Sequence, residues 1–319
     1  FAVPGVSCGN GFRILNVPMM HRPLALGRRF NGNQLSAWAC ENGIDSVINC
    51  SYMNYPSPGC VKRRIFHFLD LYEEKSSGTA AGVIENHVSA EMEKASRVSA
   101  CSRGLVDHVM RRYAKEAVFI PNGVHISEYR AKPDPALLET LCGRYNLRGK
   151  FVYGCAGNMG KWMNIPFLIN SFKRLRKEMP DSALLLVGPA IDPDISCAAI
   201  GAEGVIVAGR VPGEELAAHF HLMNVCLLPN EMTEFQHSAF HLKVLEYTAA
   251  QKTVVSTPLR EIKLLGFPNV IFAEPEEHDW AAKMKRAREI KWKTDWDSLV
   301  EPYDWKSVGA MFRTLLENL

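Results

Sequence analysis

His241-Leu242-Lys243-Val244-Leu245-Glu246-Tyr247-Thr248-Ala249-Ala250, followed after Gln251 and Lys252 by Thr253-Val254-Val255-Ser256-Thr257-Pro258, is the stretch that decides the fold. Its first part has helical spacing and its second reads as a buried β-strand. Lys243 and Glu246 stand three residues apart on one face, near the helix start. Free backbone N–H groups at a helix start, joined by an ammonium, suit a nucleoside diphosphate, because both can meet phosphate oxygens. A carboxylate one turn further on can accept from ribose hydroxyls.

Working outward, the same alternation recurs. Residues 151–157, 183–188, 205–209, 224–229 and, more briefly, 270–273 read as strands. Between them, residues 164–178 carry Phe167, Leu168, Phe172 and Leu175 at helical spacing, and 212–223 form a second helix. Strands alternating with helices predict an α/β fold with a parallel, doubly wound sheet, whose ligand lies beyond the carboxyl ends of the strands. The first half is less regular. Residues 12–17, 46–50 and 117–124 are candidate strands and 82–94 and 103–113 candidate helices. The strand at 117–124 ends in Pro121-Asn122-Gly123, a turn in which Asn and Gly tolerate positive φ. Two Rossmann-like halves, 1–147 and 148–304, are expected to meet at Leu147-Arg148-Gly149-Lys150, with a final helix over 305–319.

The 319 residues suffice for two ordinary domains, and 47% hydrophobic with 22% charged residues is a globular composition. No apolar run reaches the roughly 18 residues of a membrane span, and no signal-peptide pattern opens the chain. Nine Cys, an odd count without a C-x-x-C pair, point to free thiols in a reducing compartment rather than to a disulfide framework or zinc site. The formal charge of +3 is uneven: residues 1–147 hold 17 Lys and Arg against 13 Asp and Glu, and residues 148–319 hold 20 against 21. The excess includes Arg28-Arg29, Lys62-Arg63-Arg64 and Arg111-Arg112; it reads either as ordinary solvated surface or as a contact for anionic lipid headgroups.

The opening stretch resembles the "PLK-x-x-EY-x-A-A-G-K-P-V-V" signature of sugar-nucleotide-dependent glycosyltransferases of the two-domain GT-B type, family 4 and its relatives. The resemblance implies two Rossmann-like domains facing a cleft, with Lys243 on the donor diphosphate or sugar and Glu246 on the ribose. His241 and Thr253 replace the signature's two Pro, Gln251 replaces its Gly, and Ser238 stands where a second Glu belongs. Glu234, further upstream, is left as an open substitute. Residues 117–124 are similar to the "V-x-IPNGVD" element that closes the N-terminal domain of family 4 enzymes, with His125 for the Asp. By the same resemblance the last helix crosses back to the N-terminal domain, and the first strand and Gly-rich turn of that domain are expected to precede Phe1.

Three further segments carry candidate chemistry. Gly157-Asn158-Met159-Gly160-Lys161 follows a strand and precedes a helix, so its glycines let backbone approach a ligand; it looks like the "G-x-x-G-x-W-x-D/N" variant of polysaccharide-forming relatives, with Lys161 the nearby cation. Gly209-Arg210-Val211-Pro212 resembles "G-x-V-P-x-E-E-L", which places Arg210 and Val211 at the nucleobase, although a strand end and helix start explain the same residues. Residues 66–74 are similar to the "Y-D-x-x-D-D" element, with Asp70 at the end of an apolar run as candidate base and His67 as its competitor. His237 and His241, the latter with Leu242 beside it, are further candidates at the donor sugar.

The resemblance implies a metal-independent hexosyltransferase that moves a sugar from a nucleoside diphosphate sugar, a UDP-sugar by family frequency, to a hydroxyl of a glycan or lipid-linked glycan in polysaccharide biosynthesis. It implies no separate cofactor, no metal and no nucleic-acid partner, and a cytoplasmic place with peripheral contact to the inner membrane face through the basic half. A nucleotide-binding GT-B protein without turnover and a UDP-sugar epimerase stay open beside it. An NAD-dependent dehydrogenase does not fit, because no G-x-G-x-x-G opens either half.

Overall fold

The computed structural model describes residues 5–9, 12–16, 24–50, 56–71 and 79–319. They fall into two compact units, one of residues 1–121 with 309–319, the other of residues 122–308.

The larger unit is built on a six-stranded parallel sheet. Its strands are β7 (Phe151–Ala156), β8 (Ser182–Val187), β9 (Val205–Gly209), β10 (Val225–Leu228), β11 (Thr253–Ser256) and β12 (Val270–Phe272), in the order β12-β11-β10-β7-β8-β9. The helices between them are α6 (Ile165–Glu178), α7 (Pro193–Ala199), α8 (Gly213–Leu222), α9 (Glu234–Ser238), α10 (Leu242–Ala249) and α11 (Arg260–Leu265), and α12 (Glu277–Ala287) follows the last strand. A strand buried on both faces must be apolar throughout, and β8 is buried at all six positions. Leu184 and Leu186 face one cluster with Phe172 and Trp280, while Ala183, Leu185 and Val187 face another with Phe220, Met223 and Tyr247. Connections run from β7 outward through β8 and β9, then return to the other side of β7 for β10. The β7–β10 boundary is therefore the switch point, where a doubly wound sheet opens a crevice beyond its strand ends.

The expected boundary at 147–150 lies inside this unit. The helices α4 (Ile126–Arg130) and α5 (Pro135–Arg144) pack on it: Tyr129 stacks on Phe220 at 5.4 Å, Arg130 donates to the Asp297 carbonyl at 2.7 Å, and Leu141 and Leu147 are buried. Gly123 has no positive φ. A Cβ there would meet the Trp305 indole at 2.5 Å, so close packing, not turn geometry, requires the glycine.

The smaller unit holds a four-stranded parallel sheet in the order β3 (Ser46–Asn49), β4 (Arg63–Phe68), β5 (Arg97–Ala100), β6 (Ala117–Phe119). Its helices are α1 (Leu24–Glu41), α2 (Thr79–Lys94) and α3 (Arg103–Tyr113); the Ser102 hydroxyl caps α3 by accepting from the Leu105 N–H at 3.1 Å. The candidate strand at residues 12–17 is not part of this sheet. As β2 (Phe12–Asn16) it pairs antiparallel with β1 (Gly5–Gly9), and the two residues between them are too few for the crossover a parallel pair needs. The closing helix α13 (Trp305–Glu317) begins in the larger unit, and residues 309–319 group with the smaller one.

Candidate functional site

A cavity of about 290 Å³ opens at the switch point, walled by Ala156 and Leu228, the last residues of β7 and β10. Gly157 continues from β7 at φ 146° and its N–H donates to the Val187 carbonyl at 2.9 Å. Gly188, after β8, presses on it so closely that a Cβ would lie 2.0 Å from the Gly157 oxygen. A Cβ on Gly157 would in turn lie 3.8 Å from Lys243 Cε. Bare backbone at both positions thus lets the strand ends reach the start of α10.

Lys243 lines the cavity from the first turn of α10. Its Nζ donates to Glu246 Oε2 at 2.6 Å and lies 5.6 Å from the centroid of the Phe220 ring. The Lys243 side chain keeps 28% of its surface while that of Glu246 keeps 8%, so the ammonium is reachable and its counter-charge is not. Burial first, then the Glu246 carboxylate beside it, raise the Tyr129 phenol pKa. One residue further, the Tyr247 hydroxyl accepts from the Ala156 N–H at 2.8 Å, which fastens α10 to the end of β7.

His241 precedes the helix. Its Nε2 donates to the Gln236 carbonyl at 2.8 Å, and burial pushes its pKa down to about 4, so the imidazole is neutral at pH 7. Asn230, two residues past β10, donates through Nδ2 to Gln236 Oε1 at 2.7 Å, while its own carbonyl accepts from Thr257 Oγ1 at 2.8 Å. The loop that carries His241 is thereby pinned to the ends of β10 and β11.

Of the residues expected at the donor, Gly157, Asn158, His241, Leu242 and Lys243 line the cavity, and Glu246 joins them through Lys243. Four others are not in its wall. Lys161 is exposed at the start of a single 3₁₀ turn, Lys161–Met163. Arg210 is exposed after β9, two strands from the switch point, and Val211 packs beside Phe220 instead. Gly160 is needed for another reason, since a Cβ there would strike the Trp162 ring at 2.2 Å. Trp162, Met163, Asn230 and Phe240 complete the lining and were not anticipated. Asn230 had a readable signal, because it follows a strand beside the reversal of strand order. Glu234 is exposed, with its carboxylate 3.8 Å from Arg260, and is not part of the wall.

In the smaller unit, His67 lies in β4, 3% exposed. Its Nδ1 is 2.9 Å from the Ser99 hydroxyl, its ring meets Phe312 edge-on at 5.0 Å, and burial lowers its pKa to about 4. Asp70 is the second residue past β4, half-buried, and its Oδ1 accepts from the Leu71 N–H at 3.2 Å. Tyr72, Glu73 and Glu74 of the same segment lie outside the described residues. Several cations of the basic half are engaged internally: Arg63 pairs with Asp45, Arg112 with Glu85, and Arg64 donates to the Gly59 carbonyl at 2.8 Å. Among the described residues no cluster of three His, Cys, Asp or Glu is placed to hold a metal ion, and no helix is long and apolar enough to cross a membrane.

Residues 150–289 match the family model for glycosyl transferases group 1. A GDP-mannose-dependent alpha-(1-6)-phosphatidylinositol monomannoside mannosyltransferase of Mycolicibacterium smegmatis is 31% identical over 114 residues, which is 34% of this chain and 29% of that protein. Among solved structures, a glycosyltransferase from Rickettsia africae aligns with a TM-score of 0.73 at 14% identity, over 94% of this chain and 83% of the other. Anabaena HepE in complex with UDP aligns at 0.72 and 16% identity, over 93% and 84%. At such identities the structural likeness speaks for the fold, which is GT-B. Residues 150–289, which hold the switch-point cavity and the Lys243–Glu246 pair, are thus similar to the group 1 glycosyl transferases, in a chain of GT-B fold.

Proposed function

We propose that this chain transfers a sugar from a nucleoside diphosphate sugar to an acceptor hydroxyl. One observation carries the reading: within a group 1 domain, a reachable lysine lines a cavity at the sheet's switch point, over glycine backbone, with a buried carboxylate one turn on. As the bond from the sugar to the diphosphate breaks, negative charge gathers on the leaving group, and a fixed ammonium stabilises that charge more than it stabilises the ground state. Lys243 takes this role. Donor binding opens its bond to Glu246, so that Nζ turns to the phosphates and the carboxylate to the ribose. A cavity of about 290 Å³ suits the diphosphate and sugar rather than a whole nucleotide sugar, and Arg210 and Val211 remain the candidates for the base.

Asp70 is the base we assign to the acceptor hydroxyl, because it follows a strand's carboxyl end and keeps some exposure, whereas His67 is enclosed and neutral. The acceptor we propose is a hydroxyl of a glycan or lipid-linked glycan. The donor we propose is a UDP-sugar, supported by the UDP in the HepE complex. A GDP-sugar is the second reading, favoured by the GDP-mannose dependence in the curated relative's name.

The test incubates UDP- and GDP-sugars with a panel of glycan and lipid-linked acceptors and separates the products by chromatography, for the wild type and Asp70→Asn. The reading expects glycoside formation with release of one nucleoside diphosphate, reduced about a hundredfold or more by Asp70→Asn while donor binding persists. A donor bound but never consumed would support the inactive reading, and epimerised UDP-sugar without an acceptor would support an epimerase.

A further inference from the structure

Residues 32, 36 and 40 follow one another at four-residue spacing along one face of α1, and residues 56–60 run along that face. At Gly32, a Cβ would come within 2.9 Å of Pro56 Cγ. Gly59 N–H donates to Ser36 Oγ at 2.8 Å, and Cys60 Sγ lies 3.4 Å from the Ser36 carbonyl oxygen. In an α-helix that carbonyl also accepts from the N–H four residues on, which is that of Cys40. Cys60 is thus seated against the helix turn that carries Cys40. Both are free and exposed.

The far side of the loop is equally fixed. Glu91, 2% exposed, accepts from the Ser57 N–H at 3.0 Å and the Ser57 hydroxyl at 2.5 Å, and Arg64 donates to the Pro58 carbonyl at 3.3 Å. Folded backbone on both sides therefore holds Cys60 against the helix turn that carries Cys40. Cys101, Cys155 and Cys226, by contrast, are buried, and burial pushes the Cys155 thiol up to about 12.

We propose that Cys40 and Cys60 are a redox-active dithiol, a modification site that a low-molecular-weight disulfide such as glutathione disulfide converts to an intramolecular disulfide tying α1 to the loop before β4. One protein thiolate attacks a sulfur of the small disulfide, forming a mixed disulfide and releasing one small thiol. The second protein thiolate attacks the protein sulfur of that mixed disulfide and releases the other. The pair loses two protons and two electrons, and the small disulfide takes up both. Cys50 is also exposed and is the competitor to exclude.

The test treats the full chain with glutathione disulfide, alkylates the remaining thiols, and digests with proteases that cut after Glu41 and after Tyr52 or Tyr55, which separates Cys40, Cys50 and Cys60. The proposal expects a Cys40–Cys60 linked peptide, an intact mass lower by about 2 Da, and full reversal by dithiothreitol. Cys40→Ser and Cys60→Ser should each abolish the link and leave the partner as a mixed disulfide, about 305 Da heavier. Linkage of either cysteine to Cys50, or stable glutathione adducts on both cysteines of the wild type without a link, would overturn it.

Discussion

Gly188→Ala separates the demands of backbone conformation from those of packing at the donor cavity. Gly188 has φ +126°, and a Cβ would lie 2.0 Å from the Gly157 oxygen and 2.9 Å from its carbonyl carbon. The obstacle is backbone, so no rotamer relieves it. The conformation itself costs an alanine about 1–3 kcal/mol, and displacing packed backbone another 1–3 kcal/mol. Gly209→Ala is the control: φ is +70° with nothing within 4 Å of the added atom, so only the conformational cost applies, about 1–2 kcal/mol. In a unit of this size each kcal/mol lowers the melting temperature by about 2–4 °C. Gly188→Ala should therefore lose about 4–24 °C by thermal unfolding followed by circular dichroism, and Gly209→Ala no more than about 8 °C. Because Gly157 abuts Lys243, Gly188→Ala should also weaken nucleoside diphosphate binding at temperatures where it is still folded. Equal losses in the two variants, or a Gly188→Ala protein as stable as the wild type, would refute the packing argument.

Two other perturbations test the supports of the site and of the smaller sheet. Tyr247→Phe keeps the ring but removes the acceptor of the buried Ala156 N–H, so urea unfolding should show a loss of about 1–3 kcal/mol; a loss below about 0.5 kcal/mol would mean that the bond does not fasten α10 to β7. His67 has a folded pKa of about 4, below the ordinary value of about 6.5, so the unfolded chain takes up its proton first as pH falls. Its stabilisation is complete above about pH 6.5 and is lost toward pH 4. Between pH 7 and pH 5 the wild type should lose about 2 kcal/mol more than His67→Gln, and parallel pH profiles would contradict that burial.

The second half of the fold was legible because strands buried on both faces leave unbroken apolar runs, as in Ser182–Val187, and because helices between them keep their own period. Half of the cavity was legible for a related reason: Gly157, Asn158 and His241 to Lys243 sit in local patterns that a strand end or a helix start demands. Trp162, Met163 and Phe240 were hidden, since nothing local says that the pair at 162–163 and the distant Phe240 line one cavity. The unit boundary was hidden too. Gly149, with φ 71°, does mark a turn at the expected place, but before it Tyr129 of α4 stacks on Phe220 and Tyr145, after α5, bonds to His219 at 3.0 Å, both far along the chain. Gln251 shows the opposite case. The family's glycine is absent, yet the left-handed conformation persists at φ 58°, with the side chain donating to Asp297 Oδ1 at 2.7 Å. The substitution that looked like a departure from the pattern preserves the backbone the pattern encodes.

The most direct test of the donor site is calorimetric titration of UDP and GDP into the wild type, Lys243→Met and the double variant Lys243→Met/Glu246→Gln. The double variant matters because removing the lysine alone leaves the buried Glu246 carboxylate unpaired, which by itself repels a phosphate. The account predicts that one of the two diphosphates binds the wild type, and that both variants, folded as the wild type by circular dichroism, bind it at least about tenfold more weakly, the loss expected for one charge-assisted contact of about 1.5–3 kcal/mol. Binding of either diphosphate with wild-type affinity by the folded double variant would show that Lys243 does not hold the donor.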